Sequence, residues 1–178
     1  MEHWFYRTEA EWTQWVEQLK LMPCPHCQVV GTLNRHGTLM GYDETQRKSL
    51  RARRVYCSNR HAQRGCGRTF SVWLADKIRR LSLSTRVVWR FLQQVIAGSI
   101  AAAARSMTER SDRTWQRVWK RFLLAQSILR TALLKRCPPP TLSSDRAEAQ
   151  VMAHLQVAFP QADCPLAACQ HSLHLFCL

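Results

Sequence analysis

No apolar run in this chain of 178 residues approaches the roughly 20 that a membrane-spanning helix needs; the longest are short and broken by arginine. The opening MEHWFYRTEAEW lacks the apolar centre of a secretory signal. The expectation is a cytoplasmic, nucleoid-associated protein with no membrane partner. In a reducing compartment, eight cysteines read as metal ligands and buried thiols rather than disulfides. Internal repeats are lacking, and so is low-complexity sequence apart from Pro138-Pro139-Pro140.

Carboxylates are scarce where arginine is dense. Residues 51–136 carry three Asp/Glu against twenty Lys/Arg, and seventeen of those twenty are Arg. Residues 1–50 and 137–178 have net charges of only −1 and −2, although the whole chain is at +14. A segment this basic repels itself in isolation, which a polyanionic partner relieves. Arginine is suited to bidentate contacts with phosphate and guanine. The plainer alternative is a basic surface kept for solubility; near-neutral flanks favour nucleic acid.

The pattern predicts an α+β fold, mostly α, in four parts: an N-terminal amphipathic helix (1–21), a small β ribbon (22–75), a helical unit (76–136) and a Pro-rich linker with a helical tail (137–178). Thr8 and Glu11 form a capping-box signature before a helix over 9–21, with Trp12, Trp15, Val16 and Leu19 at helical spacing. Short β-type runs fall at 29–34, 38–42, 52–57 and 68–73. Ser84, Ser99 and Ser111 are candidate N-caps for three helices, with Gly98 a candidate stop between the first two. In the tail, one helix runs from Ser143 or Ser144 to about Phe159, and Pro165 opens the last.

Cys24-Pro25-His26-Cys27 is a C-x-x-C knuckle, two thiolates able to turn onto one ion. Cys57 and Cys66 supply the second pair across the polar insert SNRHAQRG, longer than an ordinary knuckle, with Gln63 where a cysteine usually stands. Gly65 and Gly67 flank Cys66, where such a turn needs positive φ or close backbone approach. Four cysteines then predict one structural Zn2+, without an open coordination position. His61 or His26 replacing one cysteine is the alternative; a thioredoxin-type redox pair lacks its βαβ setting. Cys164, Cys169, His171, His174 and Cys177 form a second cluster. It reads as a second metal site or as an apolar helix face, and the apolar face is favoured.

The helical unit, with its very short middle helix, follows the helix-turn-helix pattern. On the third helix Trp115, Val118, Trp119 and Phe122 point inward, leaving Arg113, Gln116, Arg117 and Lys120 on the outer face. Long donors near a recognition helix's start can reach base edges, while Ser111 and Thr114 are placed to hold phosphate. Arg60, Arg64 and Arg68, in and after the insert, are candidate phosphate contacts.

CPHC, then RRVYC and CGRTFS, then AAAARS and SDRTWQRVWKRF, resemble the N-terminal DNA-binding region of bacterial insertion-sequence transposases and related regulators. The resemblance spans about residues 22–136. It implies a zinc ribbon with ligands Cys24, Cys27, Cys57 and Cys66, a trailing Arg68-Thr69-Phe70 motif, and a helix-turn-helix that binds double-stranded DNA. The long Cys57–Cys66 loop departs from that pattern. The three-carboxylate, two-metal catalytic domain of such transposases has no counterpart: residues 137–178 hold only Asp145, Glu148 and Asp163. The expectation is therefore no catalytic residues and a sequence-specific DNA-binding regulator or accessory factor. The alternative is a nucleic-acid-tethered adaptor or RNA-binding protein, with a homodimer or protein partner engaged through the N-terminal helix or the tail.

Overall fold

In a computed structural model of the protein, the described residues are 4–107, 110–141 and 145–178. The fold is α+β and mostly α. A four-stranded sheet, β1 (Trp4–Tyr6), β2 (Leu33–Tyr42), β3 (Lys48–Cys57) and β4 (Thr69–Leu74), is accompanied by α1 (Glu9–Gln18), α2 (Thr85–Ala97), α3 (Ile100–Ser106), α4 (Asp112–Leu134), α5 (Ala147–Ala158) and α6 (Pro165–Leu173). The sheet order is β1-β4-β3-β2. β2, β3 and β4 pair antiparallel, and β1 pairs parallel to β4, with Phe5 opposite Trp73.

β1 was not legible in the sequence, because three residues show no alternation. Its presence makes the N-terminal segment part of the sheet rather than a helix alone. Of the expected piece 29–34 only Leu33 and Asn34 are strand; they run on through 38–42 as one strand, β2, interrupted by register shifts at Arg35/Gly37 and Leu39/Met40. Extra residues at such bulges twist a strand and blunt an exposed edge, and β2 is an edge strand. α1 ends at Gln18, with Leu19–Leu21 closing as a 3₁₀ turn. Thr8 Oγ1 accepts the Glu11 N–H (3.1 Å), as expected of its cap, but the Glu11 carboxylate reaches the Arg7 N–H (2.7 Å) instead of Thr8.

Apolar residues gather into two cores. The sheet and α1 enclose Tyr6, Trp12, Leu19, Leu33, Val55 and Val72 together with Cys24 and Cys57. The helices enclose a larger core in which Phe91 stacks on Trp115 at 4.7 Å and Val118, Phe122, Leu129 and Leu133 are buried. Each large apolar side chain removed from water contributes about 1.5–3 kcal/mol, so the helical unit carries most of the apolar stabilisation.

Ser84 and Ser99 cap α2 and α3 through their side chains, accepting the N–H groups of Val87 and Ala102. Gly98 ends α2, as expected of it, at φ −151°. The helix start expected at Ser143 or Ser144 lies outside the described residues; α5 is described from Ala147. α6 stops at Leu173, with His174 left-handed at φ 51°, so Phe176 and Cys177 do not extend its face. They reach the interior by a return of the chain: the Cys177 N–H donates to Gln170 Oε1 (3.3 Å).

The seam between the two units is tied by polar groups at several points. Buried Gln170 donates through Nε2 to Ala75 O (2.8 Å) and Lys77 O (3.1 Å). Buried Arg51, on β3, donates to Ile78 O (2.5 Å) and Leu81 O. Arg110, just before α4, donates to the carbonyls of Asp43 (3.0 Å), Glu44 (2.9 Å) and Ser82 (3.3 Å). At the far side His171 Nε2 meets Glu11 Oε1 at 2.5 Å, and Phe5 packs edge-on against Phe176. The tail is thus bound to the sheet, with the proline run between α4 and α5 bridged by a bond from His154 Nε2 to Cys137 O (3.0 Å).

Candidate metal centre and basic helix face

The C-x-x-C turn is closed by hydrogen bonds from Gln28 N–H to Cys24 O (2.8 Å) and Cys24 N–H to Val29 O (3.1 Å). The second pair sits where β3 ends and the chain returns to β4. There the long loop is pinched at its base: Gly65 N–H bonds Ser58 O (3.0 Å), Gly67 N–H bonds Cys57 O (3.0 Å) and Cys57 N–H bonds Arg68 O (2.9 Å). Both glycines are required. Gly67 has φ +71°, and a Cβ on Gly65 would stand 2.2 Å from Ser58 O. The insert is therefore an excursion from a closed base, with β3 and β4 still paired as a hairpin up to Tyr56 and Thr69.

This geometry brings the sulfurs of Cys24, Cys27, Cys57 and Cys66 within 4.8 Å of one another. Two edges measure 3.9 Å (Cys24–Cys66) and 3.7 Å (Cys27–Cys57). A tetrahedral ion bound at about 2.3 Å to each sulfur sets edges of roughly 3.8 Å. All four cysteines are free thiols. Donor set and spacing fit a metal ion. Neither His26 nor His61 belongs to this group among the described residues; the His26 ring lies 6.2 Å from that of Phe70.

The four sulfurs differ electrostatically. Burial pushes the Cys24 thiol up to about 12, only partly offset by the His26 N–H at 3.4 Å. Burial opposes the Cys57 thiolate as well, but Thr32 Oγ1 (3.2 Å), the Cys66 N–H (3.2 Å) and the neighbouring thiols outweigh it and bring it down to about 7. Cys66 is raised, again by burial first. A bound cation would favour the thiolate at Cys24 and Cys66, against the burial that raises both. Thr32 was not singled out in the sequence, since nothing but the fold brings it to Cys57.

Among the described residues the tail cluster does not assemble as a set of metal ligands, although the Cys169 thiol lies against that of Cys177. Cys169 and Cys177 are fully buried in the helical core, where burial pushes the Cys177 thiol well up and its Sγ faces Leu166 O at 3.6 Å. His171 turns the other way, to Glu11.

Arg60 and Arg64 stand exposed on the excursion and Arg68 at its exit; the Arg60 N–H is held by Ser58 Oγ (3.3 Å). On α4, Trp115, Val118, Trp119 and Phe122 are buried, while Arg113, Gln116, Arg117 and Lys120 are exposed. Ser111 is the residue before α4, but its Oγ faces Thr114 Oγ1 (3.3 Å) and does not cap the helix. The loop and helix groups lie on different units, joined through the seam. Past Lys120 the same outer face adds exposed apolar residues, Leu123, Leu124, Ile128 and Leu134 at 43%, 72%, 63% and 58%, between the exposed Ser127, Thr131 and Lys135. Among the described residues no helix is long and apolar enough to cross a membrane.

No protein-family model matches the chain, and no curated protein or solved structure does so either.

Proposed function

We propose that the protein is a zinc-dependent, sequence-specific binder of double-stranded DNA, a regulator or accessory factor related to the DNA-binding region of transposases and without a catalytic core. The observation that carries this reading is the first half of α4. It is anchored inward by Trp115, Val118, Trp119 and Phe122, and it presents Arg113, Gln116, Arg117 and Lys120 outward behind the short helix α3. This is the disposition of a recognition helix, whose N-terminal residues address base edges in the major groove.

Cys24, Cys27, Cys57 and Cys66 would hold the zinc ion, which supplies rigidity to a sheet unit with a small apolar core. Four sulfurs complete its coordination, so the ion's role is structural and the protein acts by binding. Arg60, Arg64 and Arg68 add phosphate contacts from the loop pinned beside the metal.

The test is selection of bound duplexes from a random DNA library, followed by salt titration of the selected site. Arg113→Ala and Arg117→Ala should relax base preference at individual positions, by roughly 5- to 100-fold in discrimination. Arg60→Ala should weaken all sequences alike and reduce the log–log salt slope by about one. Enrichment of no sequence, or an Arg117→Ala effect equal on all duplexes, would overturn the recognition-helix reading.

A further inference from the structure

A second basic surface lies on the seam and belongs to none of the groups above. It is a groove of about 530 Å3 between the end of the β2–β3 hairpin (Leu39, Met40, Gly41, Tyr42, Gln46) and the turn Arg79–Ser82, with Arg51 and Trp73 between them. Its walls are fixed. The Arg51 guanidinium pins the turn by its bonds to Ile78 O and Leu81 O and reaches Tyr42 O at 3.3 Å on the hairpin side. Gly41 lets the Arg51 stem pass; a Cβ there would lie 3.0 Å from Arg51 Cγ. Arg110 ties Ser82 to the Asp43–Glu44 turn of the same hairpin.

The groove's chemistry is lopsided. Three arginines line it and no carboxylate does among the described residues. Arg79 and Arg80 are exposed, with Arg80 held in the left-handed region at φ 61°. Arg121 of α4 donates to Arg79 O (3.1 Å), and burial first, then the Arg80 cation, push its own pKa down. Cations are thus crowded against one another beside an exposed ring, Tyr42, which is 59% accessible. Crowded guanidiniums call for an anion, and an exposed ring beside them calls for a flat apolar face. One ligand offers both: a single strand, whose bases stack on aromatics while its phosphates meet arginine. An acidic peptide answers the charge but leaves Tyr42 and Met40 without a partner.

We propose that this groove takes the base of an unpaired DNA nucleotide on Tyr42, with its phosphates against Arg79 and Arg80. Arg113, Arg117 and Arg121 follow one another at i, i+4 and i+8 along α4, so a basic ridge leads from the proposed duplex-reading face to the groove. The position of the duplex rests on the function proposed above; the groove's own chemistry does not.

The experiment uses fluorescence anisotropy with the full zinc-loaded chain and a DNA hairpin in three forms: blunt, with an overhang of three thymidines, and with three abasic sites. The abasic overhang keeps the phosphates and removes the rings. The thymidine overhang should bind more tightly than the abasic one by roughly 5- to 100-fold, the range of a base–aromatic stack. Tyr42→Ala should abolish that difference while leaving blunt-duplex affinity within about twofold, and Tyr42→Trp should restore it. Arg80→Ala should weaken both overhang forms. Equal binding of thymidine and abasic overhangs by the wild type would overturn the proposal. So would a difference that survives Tyr42→Ala, or equal competition by polyglutamate. If the blunt hairpin does not bind, the duplex reading fails by itself; the same comparison on free oligothymidine and its abasic counterpart then decides the groove.

Discussion

Gly65→Ala adds one methyl group to the most crowded glycine position beside the candidate metal centre. An ideal Cβ there would lie 2.2 Å from Ser58 O and 2.7 Å from Cys57 Sγ. Carbon approaches a carbonyl oxygen to roughly 3.3–3.6 Å, so the chain must retreat by about 1 Å. That retreat opens the Gly65–Ser58 bond (3.0 Å) and moves Cys66, whose N–H supports Cys57 Sγ at 3.2 Å. Overpacking of this kind costs about 1–3 kcal/mol of stability. Disturbed support of a ligand lowers metal affinity by roughly 10- to 100-fold. Competition with a chromophoric zinc chelator measures the affinity, and metal content per chain gives the stoichiometry. Gly31→Ala is the control: φ is +83° but no atom lies within 4 Å of the new Cβ. It should cost about 1–2 kcal/mol of backbone strain and leave zinc affinity unchanged. Equal zinc affinity in the Gly65→Ala and Gly31→Ala proteins would refute the claim that the pinched loop base holds the sulfurs.

Gln170→Leu strips the seam carbonyls of Ala75 and Lys77 of their donor and should cost about 1–3 kcal/mol in urea unfolding; a loss under about 0.5 kcal/mol would mean that water replaces the amide. Partial burial raises the Glu11 pKa, but the Arg7 N–H, His171 and the Arg7 charge outweigh it and hold the carboxyl below its usual value. Its contribution is therefore complete above the unfolded value of about 4.3 and is lost as pH falls through the lower folded value. Glu11→Gln should flatten the acid limb of the stability profile below about pH 4.3, and an unchanged limb would sink that assignment. Deleting residues 59–64 leaves Cys57-Ser58-Gly65-Cys66, the ordinary C-x-x-C spacing, and should preserve one zinc per chain yet weaken DNA binding through the loss of Arg60 and Arg64; unchanged affinity would remove the loop from the proposed interface.

The parts of this fold that follow local rules were legible. Ser84 and Ser99 announce their helices because a side-chain oxygen at an N-cap answers backbone donors one turn away. CPHC announces one pair of a four-sulfur site because a tight turn fixes it, and Gly65 and Gly67 around Cys66 mark the closed loop base that brings the second pair together. What was hidden depends on distant residues. β1 exists because β4 offers it an edge, and Thr32 reaches Cys57 only through the sheet. Leu123 and Ile128 kept helical spacing with the core residues, yet α5 covers another side of α4 and leaves them exposed. Arg51 read as one more basic residue in a basic run, whereas the fold buries it against carbonyls.

The polar ties across the seam have a consequence for how the two units could share one ligand. Apolar surfaces can slide past each other with little change in buried area, but a guanidinium or amide bonded to two carbonyls loses those bonds within about 1 Å of displacement. Arg51, Arg110 and Gln170 impose that condition at three separated points, each bridging from one unit to the other or to the turn between them. The loop arginines and the α4 arginines are thereby held at fixed separation before any ligand arrives, and binding need not spend free energy on ordering them. Arg51→Met keeps a long apolar stem over Gly41 and removes only the bonds to Ile78, Leu81 and Tyr42. DNA affinity should fall in this variant although Arg51 is buried away from solvent, while Arg113→Ala loses its effect on base preference only if the two units move independently. Wild-type affinity in a folded, zinc-loaded Arg51→Met protein would show that the units bind without a fixed spacing.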